Sequence, residues 1–532
     1  MMLRVGLILL LTAAPIRAQP EANLLKTKPL TDDGDLSVKM LDGAHRFAER
    51  KIEESVATRA KLWKRDSSSS AAYERSIRPN RDSFRKIIGV ADPRLPVAME
   101  RFGDEDNPSL VADAGSFHVY QVRWPVLNGV YGEGLFLEPS GKVLGHVIAL
   151  PDADQTPEQI VGLQPGVAGE SQFARRLAAN GFQVIVPTLI SRACDFSGNP
   201  RIAMTNQSYR EWIYRQAYQM GRHVIGYEVQ KILAATDWIK QRFPESKIGI
   251  AGYGEGGLIA FYAAAIDTRI DAALVSGYFG SRQRVWEEPI ERNVWGLLNE
   301  FGDAEIATLV APRGLIVEHS EGPQIRFPLP VPKGRRGGGA VGKLGTPTVS
   351  EVGDEWKRID SLVPHEFQKR YLVRGEPGPV PHFMSAAAVR RFAQLLGIDS
   401  QLELSKETPR DRRKKFDAHE RQRRQVKELE SHVQGLVRAA SVARDEWMLN
   451  HTTLIRTLAS RGERFRMFRV KEQSAEQFAN EVAPYRKILA EEVIGKISDP
   501  LLPPNPKIRK VYDHAKWTGY EVMLDVFPDV FA

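Results

Sequence analysis

Short apolar runs punctuated by glycine, proline and charge dominate the middle of the chain: FHVYQVRW, GVYGEGLFLEP, KVLGHVIALP, FQVIVPTLI, KIGIAG, DAALVSGYF, RGLIVEHS and KRYLVRG. β-Branched and aromatic residues fill them, so each reads as a strand. Between them lie SQFARRLAANG, MGRHVIGYEVQKILAATDWIKQRF and FMSAAAVRRFAQLLG, whose apolar residues recur at helical spacing, the last one ended by Gly397. Strands alternating with helices of this length predict a mostly parallel, twisted sheet with helices on both faces. Ligands of such sheets sit at the carboxyl ends of the strands.

The flanks read differently. From Asp42 to Ile88 charge and helical periodicity predict a helical N-terminal extension, interrupted by DSSSS at 66–70. Between Pro323 and Pro364 lies a proline- and glycine-rich insertion, KGRRGGGAVGKLGTP, in which no apolar strand feeds the glycines and no Gly-Lys-Ser/Thr follows. It reads as a mobile surface loop and not a phosphate cradle. RDRRKKFDAHERQRRQVKELE carries an apolar stripe of Val426, Leu429, Val433, Leu436 and Val437, so an amphipathic helix with a solvated basic face is expected. No aromatic residues are interleaved there for base stacking, and nucleic acid is not expected as a partner.

The chain has 532 residues, 42% apolar and 26% charged, enough for more than one globular unit. Its start, MMLRVGLILLLTAAPIRAQP, has Arg4, an apolar run from Val5 to Ala14 and Ala18 before Gln19. That fits an export signal cleaved after Ala18 and is too short for a membrane span, so a periplasmic or extracellular protein with no membrane partner is expected. Cys194 is the sole cysteine, which excludes an internal disulfide and a cysteine-rich zinc site. Beside Arg192 and Asp195 it could be a nucleophile, although an inert, partly buried thiol is the commoner case. A formal charge of +8, or +6 without Arg4 and Arg17, says little about acidic partners.

One end of the chain repeats the other. PNRDSFRKIIGVADPRLP from Pro79 matches PYRKILAEEVIGKISDPLLP from Pro484, with Arg81 answering to Arg486 and Pro93 to Pro500. YQVRWPV then aligns with YEVMLDVFPDV, setting Trp124 and Pro125 opposite Phe527 and Pro528, and SVATRAKLW weakly matches SVARDEW. A period this long implies a duplicated domain and not a solenoid. The expected segments are 1–18, signal peptide; 19–110, helical extension; 111–400, sheet domain; 401–504, charged helical start of a second copy; and 505–532, its truncated first strand.

The densest signal is IGIAGYGEGGLIAFYAAAID from Ile248 to Asp267, an apolar strand, a glycine-crowded turn and an alanine-rich helix. Gly252, Tyr253, Gly254, Glu255 and Gly256 have the layout of a nucleophile elbow, G-x-S-x-G, with glycine in the serine slot. The block from Ser171 to His382, through SQFARRLAANGFQVIVP, GRHVIGYEVQKILAATDWI, KIGIAGYGEGG, AAAIDTRIDAALVSGYF, ATLVAPRGLIVEHS and PHFMSAAAVRRFAQLLG, resembles the α/β-hydrolase superfamily. Within it, the block resembles in particular the bacterial acetyl xylan esterase and dienelactone hydrolase-like proteins. The resemblance implies an α/β-hydrolase fold with helical N-terminal and C-terminal extensions, and a carboxylic ester as substrate.

It also implies roles. The nucleophile position falls on Gly254, which has no atom to attack with. The acid position falls near Gly322, with Glu321 and Glu318 as neighbouring carboxylates and Glu321 preferred. The base position falls on His382, with His319 as a competitor on the same rim. The oxyanion would be met by the N–H of Glu255 and by the loop near Asp152 and Ala153. There PDADQTPEQ replaces the common His-Gly, so Asp152 and Asp154 would bring negative charge where an oxyanion needs donors. No cofactor and no metal are implied.

Three readings follow. The site is impaired and the domain binds an ester or carbohydrate ligand, or serves a structural role; or His382 activates a water; or the chain belongs to a longer two-domain esterase whose second hydrolase domain carries the serine.

Overall fold

A computed structural model describes residues 26–364, 367, 369–374, 382–399, 402–403, 408–449 and 474–532. The expected export signal lies outside these residues. Contacts divide the chain into two units, one of Ser55–His451 and one of Met1–Glu54 with Thr452–Ala532.

The larger unit is built on a ten-stranded sheet: β2 (Glu100–Arg101), β3 (Leu110–Asp113), β4 (Phe117–Leu127), β5 (Val130–Pro139), β6 (Gly145–Leu150), β7 (Phe182–Pro187), β8 (Ile248–Tyr253), β9 (Ala272–Ser276), β10 (Gly314–Glu318) and β11 (Lys369–Val373). Their order is β11-β10-β9-β8-β6-β7-β5-β4-β2, with β3 also on β4. The six strands from β11 to β7 are parallel; β5, β4, β3 and β2 join antiparallel. The parallel majority is what the alternating sequence predicts, and the antiparallel strands at one side make the sheet mixed.

Successive residues of the central strands serve opposite faces, as the period of two requires. Ile148, Ile250, Val275 and Val317 pack on one side with α2 (Ser70–Ile87), α5 (Val224–Arg242), α6 (Glu255–Ile266) and α7 (Asp303–Val310). Val147, Ala251, Leu274 and Ile316 pack on the other with α3 (Phe173–Ala179) and α9 (Ala386–Leu395). Thus α2, expected in a separate extension, is part of this core: Tyr73, Ile77 and Phe84 are fully buried.

Two other expectations meet a different structure. The insertion after Pro323 is ordered into an antiparallel pair, Ile325–Phe327 with Gly342–Leu344, and a helix, α8 (Val349–Leu362). Its glycines are held by side chains: Asn206 Oδ1 accepts from the N–H groups of Gly338 and Gly339, and Glu211 accepts from Ala340. The long charged helix, α10 (Ala418–Leu449), buries Val426, Leu429 and Val433 of its predicted stripe but leaves Val437 exposed, and its basic residues are not all solvated. The buried Glu158 accepts from Arg421 at 2.8 and 2.9 Å and from Arg413 at 3.2 Å, and Glu133 accepts from Arg424 at 2.7 Å. Sequence periodicity shows the apolar stripe but not distant carboxylates that draw arginines inward.

The smaller unit contains β1 (Lys28–Pro29), the part of α1 (Leu36–Arg59) up to Glu54, α11 (Ala475–Ile488), β12 (Lys507–His514), β13 (Trp517–Met523), β14 (Asp525–Phe527) and β15 (Val530–Phe531). β1 pairs parallel with β12, β12 antiparallel with β13, and β14 with β15. Phe47 stacks on Phe527 at 5.2 Å, and Arg50 donates to Pro528 O and Asp529. No helix among the described residues is long and apolar enough to cross a membrane.

Removing one member of a buried ion cluster strands the charges left behind. Glu158→Ala is therefore expected to cost about 3–5 kcal/mol in urea unfolding and to raise hydrogen exchange across 411–437. Glu158→Leu combined with Arg413→Met and Arg421→Met should cost less than the single change.

Candidate functional site

The bend between β8 and α6 lies at the carboxyl ends of the parallel strands. Every residue of β8 is buried between β6 and β9, and the chain reverses at Gly254 with φ +56° and ψ −118°. A side chain is strained at such torsions, which glycine tolerates. Close approach adds a second constraint, since a Cβ on Gly256 would meet Pro151 O at 2.3 Å.

Asp152, just after β6, governs this bend. Its Oδ1 accepts from the Glu255 N–H at 2.9 Å and from Arg192 Nη2 at 3.1 Å; its Oδ2 accepts from Arg192 Nη1 at 2.7 Å and from the Asp154 N–H at 3.1 Å. A Cβ built on Gly254 would stand 2.4 Å from that same Oδ1 and 3.0 Å from Pro323 Cγ. The Asp152 N–H does not face the bend in the way an oxyanion donor would, because it donates to Gln155 Oε1 at 3.2 Å. What Asp152 brings to Glu255 is its carboxylate.

The Glu255 side chain continues the network inward. Oε1 accepts from Arg210 Nη2 at 2.8 Å, and Oε2 accepts from Arg192 at 3.1 Å and from Arg292 at 2.8 and 3.0 Å. Arg210 also donates to Glu228 at 2.9 Å and to Ile190 O at 3.0 Å. Burial alone would raise the Asp152 and Glu255 carboxyls, but the arginines outweigh it and hold both below the usual carboxylate range. Burial wins at neighbouring Glu291, whose carboxyl is pushed up to about 7 against the pull of Arg210.

The other expected positions are on the same rim but are not joined. Glu321 is exposed; the Gly322 N–H donates to Thr346 Oγ1 at 2.9 Å, and Pro323 is the residue of this loop that approaches the bend. His382 is exposed in the loop before α9. Neither the Glu321 carboxylate nor the His382 ring makes a hydrogen bond or ion pair with a described residue, so the expected acid–base contact is not formed. Glu318 is committed elsewhere: it accepts from the N–H groups of Met384 and Ser385, at 2.7 and 2.9 Å, and from Ser276 Oγ at 2.5 Å. Phe383 stacks on Tyr253 at 3.7 Å, closing the space beside the bend.

His319 is buried, its Nε2 within 3.0 Å of Pro347 O. Cys194 is buried, and burial together with Asp195 pushes its thiol up, away from the thiolate that a nucleophile needs. Among the described residues, no group of three or more histidine, cysteine, aspartate or glutamate side chains could hold a metal ion.

Arg192, Arg210 and Arg292 are the site residues that sequence reasoning missed. They belong to no motif and reach the bend from three separate segments. The available signal was indirect: Asp152, Asp154 and Glu255 at the ends of neighbouring strands require buried cations.

Residues 152–295 match the Dienelactone hydrolase family, which is 144 of the 532 residues. The sheet order, the bend after β8 and this match identify an α/β-hydrolase fold. No curated protein matches the chain. Solved structures similar to it include a candidate acetyl xylan esterase from Bacteroides fragilis, at 15% identity over 60% of this chain and 83% of that one, TM-score 0.40. A methylesterase is similar at 14% identity over 64% and 68%, TM-score 0.39. A glucuronoyl esterase from Solibacter usitatus is similar at 17% identity over 48% and 76%, TM-score 0.33. Likeness at this level identifies no substrate.

The Glu291 carboxyl fixes the sign of a pH effect. Its folded value near 7 lies above the ordinary 4.5, so its contribution to stability is complete below pH 4.5 and is withdrawn as pH rises through 7. Glu291→Gln has no proton to lose. Relative to the unsubstituted protein, the variant should gain at least about 1 kcal/mol between pH 5 and pH 8, read from urea midpoints; equal differences at both pH values would mean that Glu291 is ionised in the fold.

Proposed function

We propose that this hydrolase domain is exported and forms no acyl-enzyme at the β8–α6 bend, acting as a ligand-binding or structural relative of carboxylic ester hydrolases. The observation that carries the reading is the Asp152 carboxylate. It occupies the volume a serine Cβ would need at 254 and accepts the Glu255 N–H that an oxyanion would require.

Ester cleavage through a tetrahedral intermediate needs a nucleophile, a base held by an acid, and donors aimed at the developing negative charge. Gly254 supplies no nucleophile. An oxygen anion entering beside Glu255 would meet Asp152, itself anionic and fixed by Arg192. Exposed Glu321 and His382 have no hydrogen bond to a described residue that would align them. The ligand class that suits this reading is a carboxylic ester, free or on a polysaccharide, bound from the strand ends.

The full chain is expected to turn over a short aryl acetate no faster than buffer and to take up no serine-directed phosphonate. Gly254→Ser alone should gain no turnover and should lower stability, because its Cβ would meet Asp152 and its φ is positive. Turnover by the unsubstituted protein that vanishes in His382→Ala would instead establish the water mechanism.

A further inference from the structure

Two hairpins of this chain share one register. Leu110 pairs with Tyr120, Ala112 with Val119 and Asp113 with His118; Lys510 pairs with Tyr520, Tyr512 with Gly519 and Asp513 with Thr518. Across the next turn Pro125 pairs with Tyr131 and Leu127 with Val130, while Asp525 pairs with Phe531 and Phe527 with Val530. Every partner, both bulges and the positive φ of Gly129 and Asp529 lie 400 positions apart. The register sets Trp124 against Leu524 and Asn128 against Pro528, correcting the sequence alignment, which matched two prolines that occupy different places in the hairpin. The preceding helices agree as well. α2 is capped by Ser69 and contains Pro79; α11 is capped by Ser474 and contains Pro484, each 405 positions on.

The two sets differ in what covers them. Val111, Phe117, Val122 and Trp124 are 0% exposed, whereas Val511, Trp517, Val522 and Leu524 are 42, 55, 51 and 36% exposed. Tyr73, Phe84 and Ile88 are 0% exposed, whereas Phe478, Leu489 and Val493 are 38, 51 and 66% exposed. In the larger unit the cover is the hydrolase core itself. Trp124 Nε1 donates to Lys231 O of α5 at 3.1 Å, Phe84 meets Tyr262 of α6 edge-on at 4.9 Å, and β5 pairs with β7. Arg81 caps α6 and α7 by donating to Ala265 O at 2.7 Å and Leu309 O at 2.9 Å; its counterpart Arg486 is exposed.

One cover is present in both units. Near the first hairpin turn, Asn128 O lies 3.4 Å from His432 Nδ1 of α10; at the second, Pro528 O accepts from Arg50 Nη2 of α1 at 3.0 Å. Each hairpin is thus capped by a helix from the other end of the chain.

We infer that residues 474–532 are the entry segment of a second hydrolase fold, and that the apolar residues exposed on both faces of their strands and on the preceding helical segment dock the remainder of such a fold, as the equivalent residues do in both cores of the larger unit: a parallel sheet with an apolar helix after its own bend. The occupant lacks an entry hairpin of its own. A second copy of this chain does not qualify, because its β7 edge is already paired with its own β5, Gly134 against Pro187. A lone peptide strand could pair with an edge but could not cover Phe478, Leu489 and Val493 as well. This docking surface is independent of the chemistry at Gly254.

The test extends the full chain after Ala532 with a second copy of its own residues 133–399, in the register that the hairpins define. Hydrogen exchange across 507–532 should slow at least tenfold and Trp517 emission should shift to the blue. Unchanged exchange in an extension that is itself protected would overturn the inference. A second measurement uses the unextended chain. Leu489→Ser and Val522→Thr should leave exchange in 474–532 unchanged, while the equivalent Phe84→Ser and Val122→Thr should raise it across 100–139. Faster exchange from both pairs would mean that these residues are already covered, and would refute the docking surface.

Discussion

The bend after β8 depends on one interaction, the acceptance of the Glu255 N–H by the Asp152 carboxylate. An anion is well placed there by electrostatics, since the first N–H groups of a helix are unsatisfied and carry partial positive charge. On the reading we propose, that position is the one a hydrolase leaves open for a charge that exists only during reaction. Here a permanent charge of the protein fills it. Gly254 follows as a steric consequence, since any side chain at 254 would have to share space with Asp152 Oδ1.

A buried carboxylate is costly unless paired, and the arginines around the bend answer that cost. Arg192 bridges Asp152 and Glu255, Arg210 bridges Glu255 and Glu228, and Arg292 closes Glu255 from outside. Clusters of this kind add little net stability compared with apolar packing, but each member becomes expensive to remove. They therefore fix which segments meet. The same principle operates at α10, where Glu158 selects Arg413 and Arg421 from a helix that sequence alone shows only as basic and amphipathic.

The strands and helices of the hydrolase sheet were legible because their periodicity is local: a run such as KIGIAG needs no distant information to read as a buried strand. The glycine-crowded bend was legible for the same reason. The arginine partners were not, since they are 40, 58 and 140 residues from Asp152 and only the closed sheet brings them together. The acid–base contact between Glu321 and His382 was an expectation that the family resemblance implied, and such a likeness sets the rim a residue occupies but not the direction of its side chain. The insertion after Pro323 looked structureless because glycine and proline advertise turns, while the order it has comes from Asn206 and Glu211 on other segments.

The terminal units follow from the same distinction between local and distant information. Helix, turn and hairpin can be specified by short-range pattern, so each is formed in residues 474–532 even where its large apolar side chains are exposed. Burial cannot be specified that way, because it needs a core. A strand pair with open apolar faces is marginal by itself, and within its unit the β12–β13 pair is supported by β1 along one edge, while Phe47 and Arg50 hold the adjoining β14–β15 turn. That support reaches the turn and one edge, and leaves Val511, Trp517, Val522 and Leu524 in solvent. Exposed apolar surface of this extent is uncommon on a monomer without a partner. The first hairpin, with the same register and a full hydrolase core against it, shows the kind of surface that satisfies such faces.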